Sequence, residues 1–437
     1  MMMSKMMFGV SCAMAAGVAG LTAPAALAQQ YTATVIPTLG GASNAAYGVN
    51  EAGWVVGQSD TFDGPFHAFV YINGVVTDLG TLEGGSHSTA FGVNNNGVIV
   101  GRADNAAGTD RPVRWTQDGQ GQWHIEDLGT LRENGFGFGW ALRVNDAGQV
   151  VGYATSASTN AYHAFRLTGT TKLDLGTLGF GGNFAYSQGL AINAAGKTSG
   201  FAYMTLGGPE HGFLHDGVDQ HDVTPPGQFG LADWYGINDT DQLAGYVSST
   251  ETGGAFRSAR AVRGGRDNVI ELIPTIDGTT DGYGYDINNA GDVVGTSFLP
   301  QTGQSIFKAF AFVGGQVVDL TAASSGLNGM ALMEARDISN NGMIAVIGEA
   351  DPLFGTTAAV LLRPGTPCLA DVAGLGGTAG SDGQLTPDDL IYYLGAFFGN
   401  DLSVADIAGL GGAAGADGQL TADDLIAFLG SFFGGCQ

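Results

Sequence analysis

Short apolar segments, each ended by turn residues, recur along most of the chain. The clearest set lies between residues 45 and 80, and its four segments end at Asn50, Gly57, Ile72 and Leu79. Runs rich in Val, Tyr, Phe and Trp that are separated by Ala-Gly and Asn-Gly are typical of β-strands joined by tight turns. One unit therefore predicts a four-stranded antiparallel meander, which needs copies of itself to bury both faces.

The unit recurs seven times, and an asparagine before the first turn marks each copy. The marker residues are Asn50, Asn94, Asn145, Asn193, Asn238 and Asn288, with Ser339 in the seventh place. A glycine follows seven residues later in the first six copies, and Val346 replaces it in the last. Such a glycine inside a strand indicates a bulge or a close backbone approach. Four strands per repeat at this spacing predict a seven-bladed β-propeller; the alternative is an open or paired array of meanders.

The third and fourth strands of each unit carry a cationic and an acidic residue. The predicted pairs are His67 with Asp78, Arg111 with Asp127, His163 with Asp174, His211 with Asp222, Arg257 with Glu271, and Lys308 with Asp319. Because His, Arg and Lys replace one another, a cationic hydrogen-bond donor explains the position, whereas a metal ligand does not. We predict structural ion pairs within each sheet.

The segment at residues 31–40 resembles a fourth strand, which the seventh unit lacks. Its alignment with residues 75–82 puts Val35 in the place of the acid, and the seventh unit has Thr357 in the place of the cation. The N-terminal strand is therefore predicted to complete the last sheet and close the ring. Closure removes two exposed sheet edges, which otherwise promote aggregation.

Repeated strings within these units resemble the HAF family of extracellular repeats. The closest copies are H-A-F at 67–69 with D-L-G-T-L at 78–82, and the matching strings within 163–179. The resemblance covers roughly residues 31–364. It implies a repeat fold and a location outside the cytoplasm, and it implies no particular activity.

The N-terminal residues 1–28 are predicted to be a secretory signal peptide. Lys5 precedes an apolar, alanine-rich stretch, and A-L-A at 26–28 matches a small-residue cleavage site. The alternative, a membrane anchor, is disfavoured because Gly and Pro24 interrupt the stretch, and no other run approaches the roughly 20 apolar residues that span a bilayer. We expect a secreted or cell-surface protein that does not span the membrane. The net charge of -25 argues against a nucleic-acid partner.

A proline-rich linker at 363–367 separates the propeller, 29–364, from a different C-terminal domain at 365–437. The string D-G-Q-L-T-P-D-D-L-I at 382–391 recurs as D-G-Q-L-T-A-D-D-L-I at 417–426. Each copy predicts a loop followed by an amphipathic helix, with Thr386 or Thr421 as the N-cap. The domain is therefore predicted to be small and all-α.

The loop before each predicted helix carries candidate metal ligands. Asp-Gly followed by an acidic residue at a helix start is typical of the second half of an EF-hand-like calcium loop. The first predicted Ca²⁺ set contains Asp371, Asp382, the Gln384 carbonyl, Thr386 and Asp389. The second contains Asp406, Asp417, the Gln419 carbonyl, Thr421 and Asp424. The alternative is that these aspartates merely cap the helices.

Cys368 and Cys436 lie at the two ends of this domain and predict one disulfide in a secreted protein, the alternative being an intermolecular pair. The duplicated motif and the Gly-Cys ending resemble a dockerin of the planctomycete type, over nearly all of 368–437. The resemblance implies a cohesin-like or cell-surface receptor as partner. The sequence departs from the usual twelve-residue loop, because Ala373 and Ala408 stand nearest position three and residues 375–381 are inserted.

No catalytic residue is predicted. The sequence has no G-x-S-x-G, H-E-x-x-H or phosphate-loop motif, and its regularly placed acids recur in every unit, which indicates structure. Non-repeated aromatic residues predict either strand core or a carbohydrate-stacking surface: Trp115, Trp123, Trp140, Trp234, Tyr162 and Tyr203.

These features together predict a secreted binding or scaffold propeller that is anchored to an extracellular assembly by a calcium-stabilised dockerin-like module. Its propeller would take a glycan or protein ligand. The alternative is a carbohydrate-active enzyme, a glycoside hydrolase or lyase in polysaccharide catabolism. Non-repeated carboxylates that converge at one mouth of the channel would favour the enzyme.

Overall fold

The structure is a computed structural model. It describes residues 31–132, 136–157, 161–179, 186–203, 208–224, 230–248, 254–264, 267–300, 305–365, 373–374, 378–379, 387–399, 401–406, 408–409, 413–414 and 419–434. The predicted signal peptide at 1–28 lies outside these residues. The chain separates into two units, of which one is Gln29–Thr366 and the other includes Pro367–Gln437.

The larger unit is a seven-bladed β-propeller, as the repeats predict. The chain begins with β1 (Tyr31–Val35). Blade 1 contains β2 (Gly40–Val49), β3 (Val55–Thr61), β4 (Phe66–Ile72) and β5 (Val75–Asp78). Blade 2 contains β6 (Ser88–Val93), β7 (Ile99–Asp104), β8 (Asp110–Gln117) and β9 (Trp123–Asp127). Blade 3 contains β10 (Gly139–Val144), β11 (Val150–Thr155), β12 (Tyr162–Thr168) and β13 (Thr171–Gly176).

The next three blades repeat this order. Blade 4 contains β14 (Ser187–Ile192), β15 (Thr198–Tyr203), β16 (Glu210–His215) and β17 (Gln220–Asp222). Blade 5 contains β18 (Leu231–Ile237), β19 (Leu243–Ser248), β20 (Arg257–Gly264) and β21 (Asp267–Leu272). Blade 6 contains β22 (Asp281–Ile287), β23 (Val293–Leu299), β24 (Ile306–Val313) and β25 (Gln316–Asp319). Blade 7 is built from β27 (Ala331–Ile338), β28 (Ile344–Asp351) and β29 (Thr356–Pro364), and the two-residue β26 (Ser324–Ser325) precedes it.

The N-terminal strand closes the ring, as predicted. β1 runs antiparallel to β29, with Tyr31 opposite Pro364 and Val35 opposite Val360, and it pairs in parallel with β26. In this register Ala358, and not Thr357, occupies the position that His67 has in blade 1, because Val360 takes the place of Phe69 opposite the outer strand. The seventh sheet therefore lacks both partners of the repeated ion pair.

The hydrophobic core lies in the seams between blades. One buried cluster joins Val56 and Val70 of blade 1 to Ile99 and Trp115 of blade 2. Another joins Phe69 and Tyr71 of blade 1 to Ala345 and Leu361 of blade 7. A meander thus buries its faces against its neighbours, which is why a single copy is insufficient.

Each innermost strand contains a β-bulge at the same place. The register shifts between Ala46 and Gly48 in blade 1, and the equivalent shift recurs in all seven blades. The recurring strand glycine follows from this bulge: a Cβ on Gly57 would lie 1.9 Å from the carbonyl oxygen of Ala45. Blade 7 has Val346 instead, and β27 shifts register a second time, between Leu332 and Glu334.

The C-terminal unit contains the two predicted helices. These are α1 (Pro387–Phe398) and α3 (Ala422–Gly434), and a further short helix, α2 (Leu402–Ala405), lies between them in the chain. Two short hairpins accompany them: β30 (Ala373–Gly374) with β31 (Thr378–Ala379), and β32 (Ala408–Gly409) with β33 (Ala413–Ala414). The aromatic rings of Tyr393 and Phe428 stack between α1 and α3, with centroids 3.7 Å apart, and the hydroxyl of Tyr393 donates to the carbonyl of Ala405.

Candidate ligand-binding channel

The bulge in each inner strand directs one side chain into the central channel. The bulged residue lies three positions before the marker asparagine, and the seven residues are Tyr47, Phe91, Leu142, Leu190, Tyr235, Tyr285 and Arg336. All seven line one cavity of about 460 Å³, which we call the channel pocket. Bulges commonly re-aim side chains at binding sites. The framework of the pocket is therefore repeated, whereas the side chains that it presents are not.

Aromatic and arginine side chains form a continuous arc around the pocket. Ring centroids lie 5.4 Å apart for Trp140 and Phe91 and 5.6 Å apart for Phe91 and Tyr47. The guanidinium of Arg336 continues the arc, 5.9 Å from the centroid of Tyr47 and 4.3 Å from that of Tyr285. A ring contact of 5.8 Å between Tyr285 and Tyr235 extends it to blade 5.

Tyrosine hydroxyls supply neutral hydrogen-bond donors in the pocket. The hydroxyls of Tyr47, Tyr153, Tyr235 and Tyr285 have no hydrogen-bond partner among the residues that the structure describes. Burial is the largest cause that raises the pKa of each of these tyrosines, so all four stay protonated across the physiological range.

One layer of the channel, which we call the waist, has charged side chains from three of the blades. At the position two residues before the marker, blades 1, 2 and 5 have glycine, whereas blades 3, 6 and 7 have Arg143, Asp286 and Asp337. Asp337 accepts a hydrogen bond from the amide of Val49, and its carboxylate lies 3.8 Å from the guanidinium of Arg143. Burial, and then the charge of Asp337, raise the pKa of Asp286 well above its usual range.

Marker asparagines line the channel beyond the waist, in a second cavity of about 210 Å³. The side-chain amide of each donates to the backbone carbonyl of the next marker, in five successive links of 2.9–3.2 Å from Asn50 to Asn288. Glu51 joins the last blade to the first, because its carboxylate accepts from the amides of Asn340 and Asn341. This end of the channel is a structural ring that locks the blades together.

A second group of non-repeated acids lies between blades 4 and 5. The hydroxyl of Tyr246 donates to Asp233 at 2.7 Å, and that of Tyr203 donates to Glu210 at 2.8 Å. Burial, followed by the charge of Glu210, raises the pKa of Asp233 to about 7. Asp233 is only 2% exposed, so its carboxyl is enclosed by protein.

Five of the six predicted ion pairs are present, each between the third and fourth strands of its blade. The pair distances are 2.8 Å for His67–Asp78, 3.0 Å for Arg111–Asp127, 2.9 Å for His163–Asp174, 2.8 Å for His211–Asp222 and 3.9 Å for Lys308–Asp319. In all five of these sheets the acid also accepts from a backbone amide two residues later, as Asp78 does from Gly80 at 2.8 Å. Each pair therefore joins the third strand of its blade to the outer strand, and the acid also binds the turn that leads to the next blade.

The pairing of Arg257 with Glu271 is wrong. Glu271 lies opposite Arg260 and binds its guanidinium at 2.6 Å, whereas Leu272 occupies the position of the repeated acid. Side chains alternate between the two faces of a strand, so an offset of one residue places Glu271 on the opposite face. Arg257 consequently has a buried Nε without a hydrogen-bond partner in the described structure.

Five of the ten predicted calcium ligands and both cysteines lie outside the described residues. These are Asp371, Asp382, Gln384, Thr386, Asp417, Cys368 and Cys436. Asp389 lies in the first turn of α1, and Gln419 and Thr421 precede α3. Asp406 and Asp424 are buried, and after burial itself their charges raise the pKa of Tyr393. Among the described residues, no group of three or more His, Cys, Asp or Glu is arranged to hold a metal.

Asp424 also caps α3, as the alternative interpretation expects. Its Oδ2 accepts from the backbone amide of Thr421 at 2.8 Å. This bond satisfies a helix-terminal donor.

The aromatic residues that the sequence singled out occupy different parts of the propeller. Trp115 and Trp234 are fully buried in the seams between blades. Trp140 and Tyr162 belong to the aromatic network near the channel, where Trp140 lines the pocket and stacks with Arg102 at 4.8 Å. Trp123 packs edge-on against Trp54 at 6.4 Å, beside the hydrophobic cluster between blades 1 and 2 and outside the lining of the channel pocket.

Sequence reasoning missed the bulged residues, Arg102, Arg143 and the acids at the waist. The available signal was the position three residues before each marker, which varies from copy to copy inside an otherwise repeated strand. Variation within a repeated framework is typical of a recognition surface.

Comparison with protein-family models finds no match, and comparison with curated proteins finds none. Among solved structures, the chain is similar to YCF48 bound to a D1 peptide: 13% identity, TM-score 0.42, covering 78% of this chain and 99% of that chain. It is also similar to the β-propeller domain of the Trilobed protease from Pyrococcus furiosus: 9% identity, TM-score 0.33, covering 64% and 96%. A third is the BP39L lectin from Burkholderia pseudomallei: 12% identity, TM-score 0.37, covering 74% and 96%. These likenesses concern the fold alone.

Proposed function

We propose that this protein is a secreted carbohydrate-binding propeller whose ligand occupies the channel pocket. The observation that carries the proposal is the aromatic arc, in which Trp140, Phe91, Tyr47 and Tyr285 stand around one cavity. Aromatic faces stack on the apolar faces of sugar rings, and nearby polar groups bind the hydroxyls.

The polar part of the lining suits a sugar. The pocket contains four protonated tyrosine hydroxyls and the side-chain amides of Gln58 and Gln188. A volume of about 460 Å³ is in the usual range for small-ligand sites. The position of the pocket at the ring centre means that all seven blades contribute to recognition.

Trp140→Ala tests the proposal. We expect the full-length chain to bind members of an oligosaccharide panel and the variant to lose binding by roughly tenfold or more, since stacking is removed. Trp123→Ala is the matched control, because Trp123 is also half-buried in an aromatic pair but does not line the channel pocket. Equal losses in both variants, or no binding of any sugar by the unmodified chain, would refute the proposal.

Glycan cleavage is the second candidate, and the non-repeated acids favour it. Asp286 and Asp337 converge at the waist, whereas Asp233, whose pKa burial raises to about 7, is enclosed by protein and does not line the channel pocket. However, the carboxyls of Asp286 and Asp337 lie next to each other, whereas glycosidase carboxyls stand about 5–10 Å apart with the substrate between them. Incubation with the bound polysaccharide and an assay for new reducing ends separates the two candidates.

The C-terminal domain is proposed to anchor the propeller through a cohesin-like or cell-surface receptor, with bound Ca²⁺ and a Cys368–Cys436 disulfide stabilising it. The charge balance supports a cation. Residues 365–437 contain nine aspartates and no Lys, Arg or His, and Asp424 is fully buried. An excess of carboxylate oxygens favours binding of a divalent cation such as Ca²⁺. Asp406 and Asp424 would contribute oxygen ligands together with residues outside the described set.

Receptor capture tests the anchoring role. The full-length chain, immobilised with and without a chelator, is exposed to proteins of the extracellular fraction. We expect capture that depends on Ca²⁺ and that fails for a chain ending at Thr366, since that chain retains the propeller alone. Capture that is identical with the truncated chain would contradict the anchoring role.

A further inference from the structure

Three arginines line the channel pocket: Arg102, Arg143 and Arg336. Among the described residues, its lining contains no aspartate or glutamate. The whole chain has 16 Lys and Arg against 41 Asp and Glu. The pocket is therefore positively charged, although the protein as a whole is negatively charged. Because the net charge of the protein repels anions, long-range attraction of anions does not explain why three arginines line the pocket.

Acidic side chains hold two of these guanidiniums, those of Arg102 and Arg336. Arg102 binds Asp110 at 2.6 Å and stacks on Trp140, whose indole nitrogen donates to the same carboxylate at 3.0 Å. Arg336 forms an ion pair with Glu334. Although burial alone lowers it, the pKa of Arg336 is raised overall, because the neighbouring Tyr285 and Glu334 favour the charged form. Asp110 and Glu334, the acids that hold these two arginines, are outside the lining of the channel pocket, whereas the arginines belong to it.

Arg143 completes the set from the waist. Its Nη1 donates to the carbonyl of Phe91 at 3.0 Å and its Nη2 faces Asp337 at 3.8 Å. That distance is too long for a hydrogen bond, so Nη2 retains capacity for a ligand oxygen. Arginine is suited to planar carboxylates, because its fork of N–H groups matches their two oxygens.

We infer that the ligand of the channel pocket is an acidic saccharide, a uronic-acid sugar whose carboxylate is bound by Arg336, Arg102 and Arg143. The inference rests on the proposed carbohydrate-binding function and specifies its ligand. The aromatic arc requires a ring to stack on, which a bare inorganic anion lacks.

The experiment compares uronic-acid oligosaccharides with their methyl esters, which have the same rings but no charge. Calorimetric titration of the full-length chain is expected to show at least roughly tenfold tighter binding of the acid, since a charge-assisted hydrogen bond is lost in the ester. The preference is expected to shrink as salt increases. Neutral hexose oligosaccharides form the third arm.

The double variant Arg336→Gln/Glu334→Gln removes one guanidinium together with its partner, so no buried charge is left unpaired. We expect it to bind the acid no better than the ester while retaining affinity for the ester. Arg260→Gln/Glu271→Gln removes an equivalent pair at 2.6 Å outside the pocket and should leave the preference unchanged.

The outcomes separate the two proposals. Equal binding of acid, ester and neutral sugar overturns the acidic-sugar inference and leaves the carbohydrate-binding function standing. Binding of none of them overturns both. A preference for the acid that survives in Arg336→Gln/Glu334→Gln and falls in the control pair would place the carboxylate elsewhere and overturn the inference.

Discussion

The buried carboxyl group of Asp286 lies beside that of Asp337 at the seam between blades 6 and 7, and burial, then the charge of Asp337, raise the pKa of Asp286. Each also accepts a backbone amide from the next blade, Asp286 from Ile338 at 3.0 Å and Asp337 from Val49 at 2.7 Å. Asp286 keeps its proton, because two carboxyls this close cannot both carry a charge. The seam between blades 6 and 7 thus contains a protonated acid next to a second carboxyl.

This pair makes the stability of the propeller depend on pH. The pKa of Asp286 is higher in the folded state than in the unfolded state, so folding takes up a proton. The resulting stabilisation is complete below the unfolded pKa and is lost as pH rises through the folded pKa. Asp286→Asn keeps a donor to Asp337 without titrating, so we expect it to raise the Tm at pH 8 by roughly 2 °C and to leave it unchanged near pH 4. A Tm difference that does not grow with pH would contradict this account; Asp63→Asn, at an exposed loop residue, is the control.

The asparagine ring makes a stability prediction with a matched control. Asn94 accepts from the amides of Asn96 and Val98 and also donates to the carbonyl of Asn145 in the next blade. Asn105 makes the same two local bonds, to the amides of Ala107 and Thr109. No described bond joins Asn105 to another blade.

We therefore expect Asn94→Ala to cost about 2–3 kcal/mol in urea unfolding and Asn105→Ala about 1 kcal/mol, because only the first leaves a buried carbonyl of a neighbouring blade unpaired. Equal costs for the two variants would show that the link between blades contributes nothing to stability.

Blade 5 offers a gain-of-stability test. Leu272 is 39% exposed and occupies the position at which blades 1 to 4 have an aspartate. Leu272→Asp would place a carboxylate beside Arg257, whose Nε is buried without a described partner. We expect a gain of up to about 1 kcal/mol, measured as a higher urea midpoint. Leu272→Asn, which adds polarity without charge, should gain less; a loss in both variants would show that Arg257 does not reach this position.

Ring closure is testable by removing the N-terminal strand. A chain that lacks residues 31–37 loses the buried side chains of Tyr31 and Ile36 and leaves β29 as an open edge. Relative to a chain that begins at residue 29, we expect a lower urea midpoint and self-association in size-exclusion chromatography. A synthetic peptide of residues 29–38 should restore both properties. A truncated chain that stays monomeric with an unchanged midpoint would mean that closure does not depend on β1.

Asp424→Asn distinguishes calcium binding from helix capping. The amide oxygen of Asn still accepts from Thr421, so the cap is retained, while the charge that a calcium site needs is removed. We expect Ca²⁺ to raise the melting temperature of the C-terminal domain, followed by calorimetry of the full chain, and the variant to lose most of that response. A response to Ca²⁺ that is equal in both chains, or absent in the unmodified chain, would leave capping as the sole role of Asp424.

The scaffold could be predicted from the sequence because its determinants are local and repeated. Asn50 and Gly57 recur since each copy needs the same turn and the same close approach of strands. The closing strand was predictable for the same reason, as it is a displaced copy of the fourth strand. Repetition thus reveals backbone geometry and says little about chemistry.

The channel pocket could not be predicted in the same way. Whether Tyr47 points into the channel depends on a bulge, and a one-residue change in register reverses the face of every side chain. The same sensitivity explains the wrong pairing of Arg257. The convergence of Arg143, Asp286 and Asp337 depends on ring closure, because these residues belong to three different blades.

The most direct test of the account is a crystal structure of the full-length chain with a uronic-acid oligosaccharide. The account predicts a sugar ring stacked on the aromatic arc near Trp140, with its carboxylate within hydrogen-bond distance of Arg336. A saccharide bound at the rim or in a seam between blades, with the channel pocket left to solvent, would contradict it.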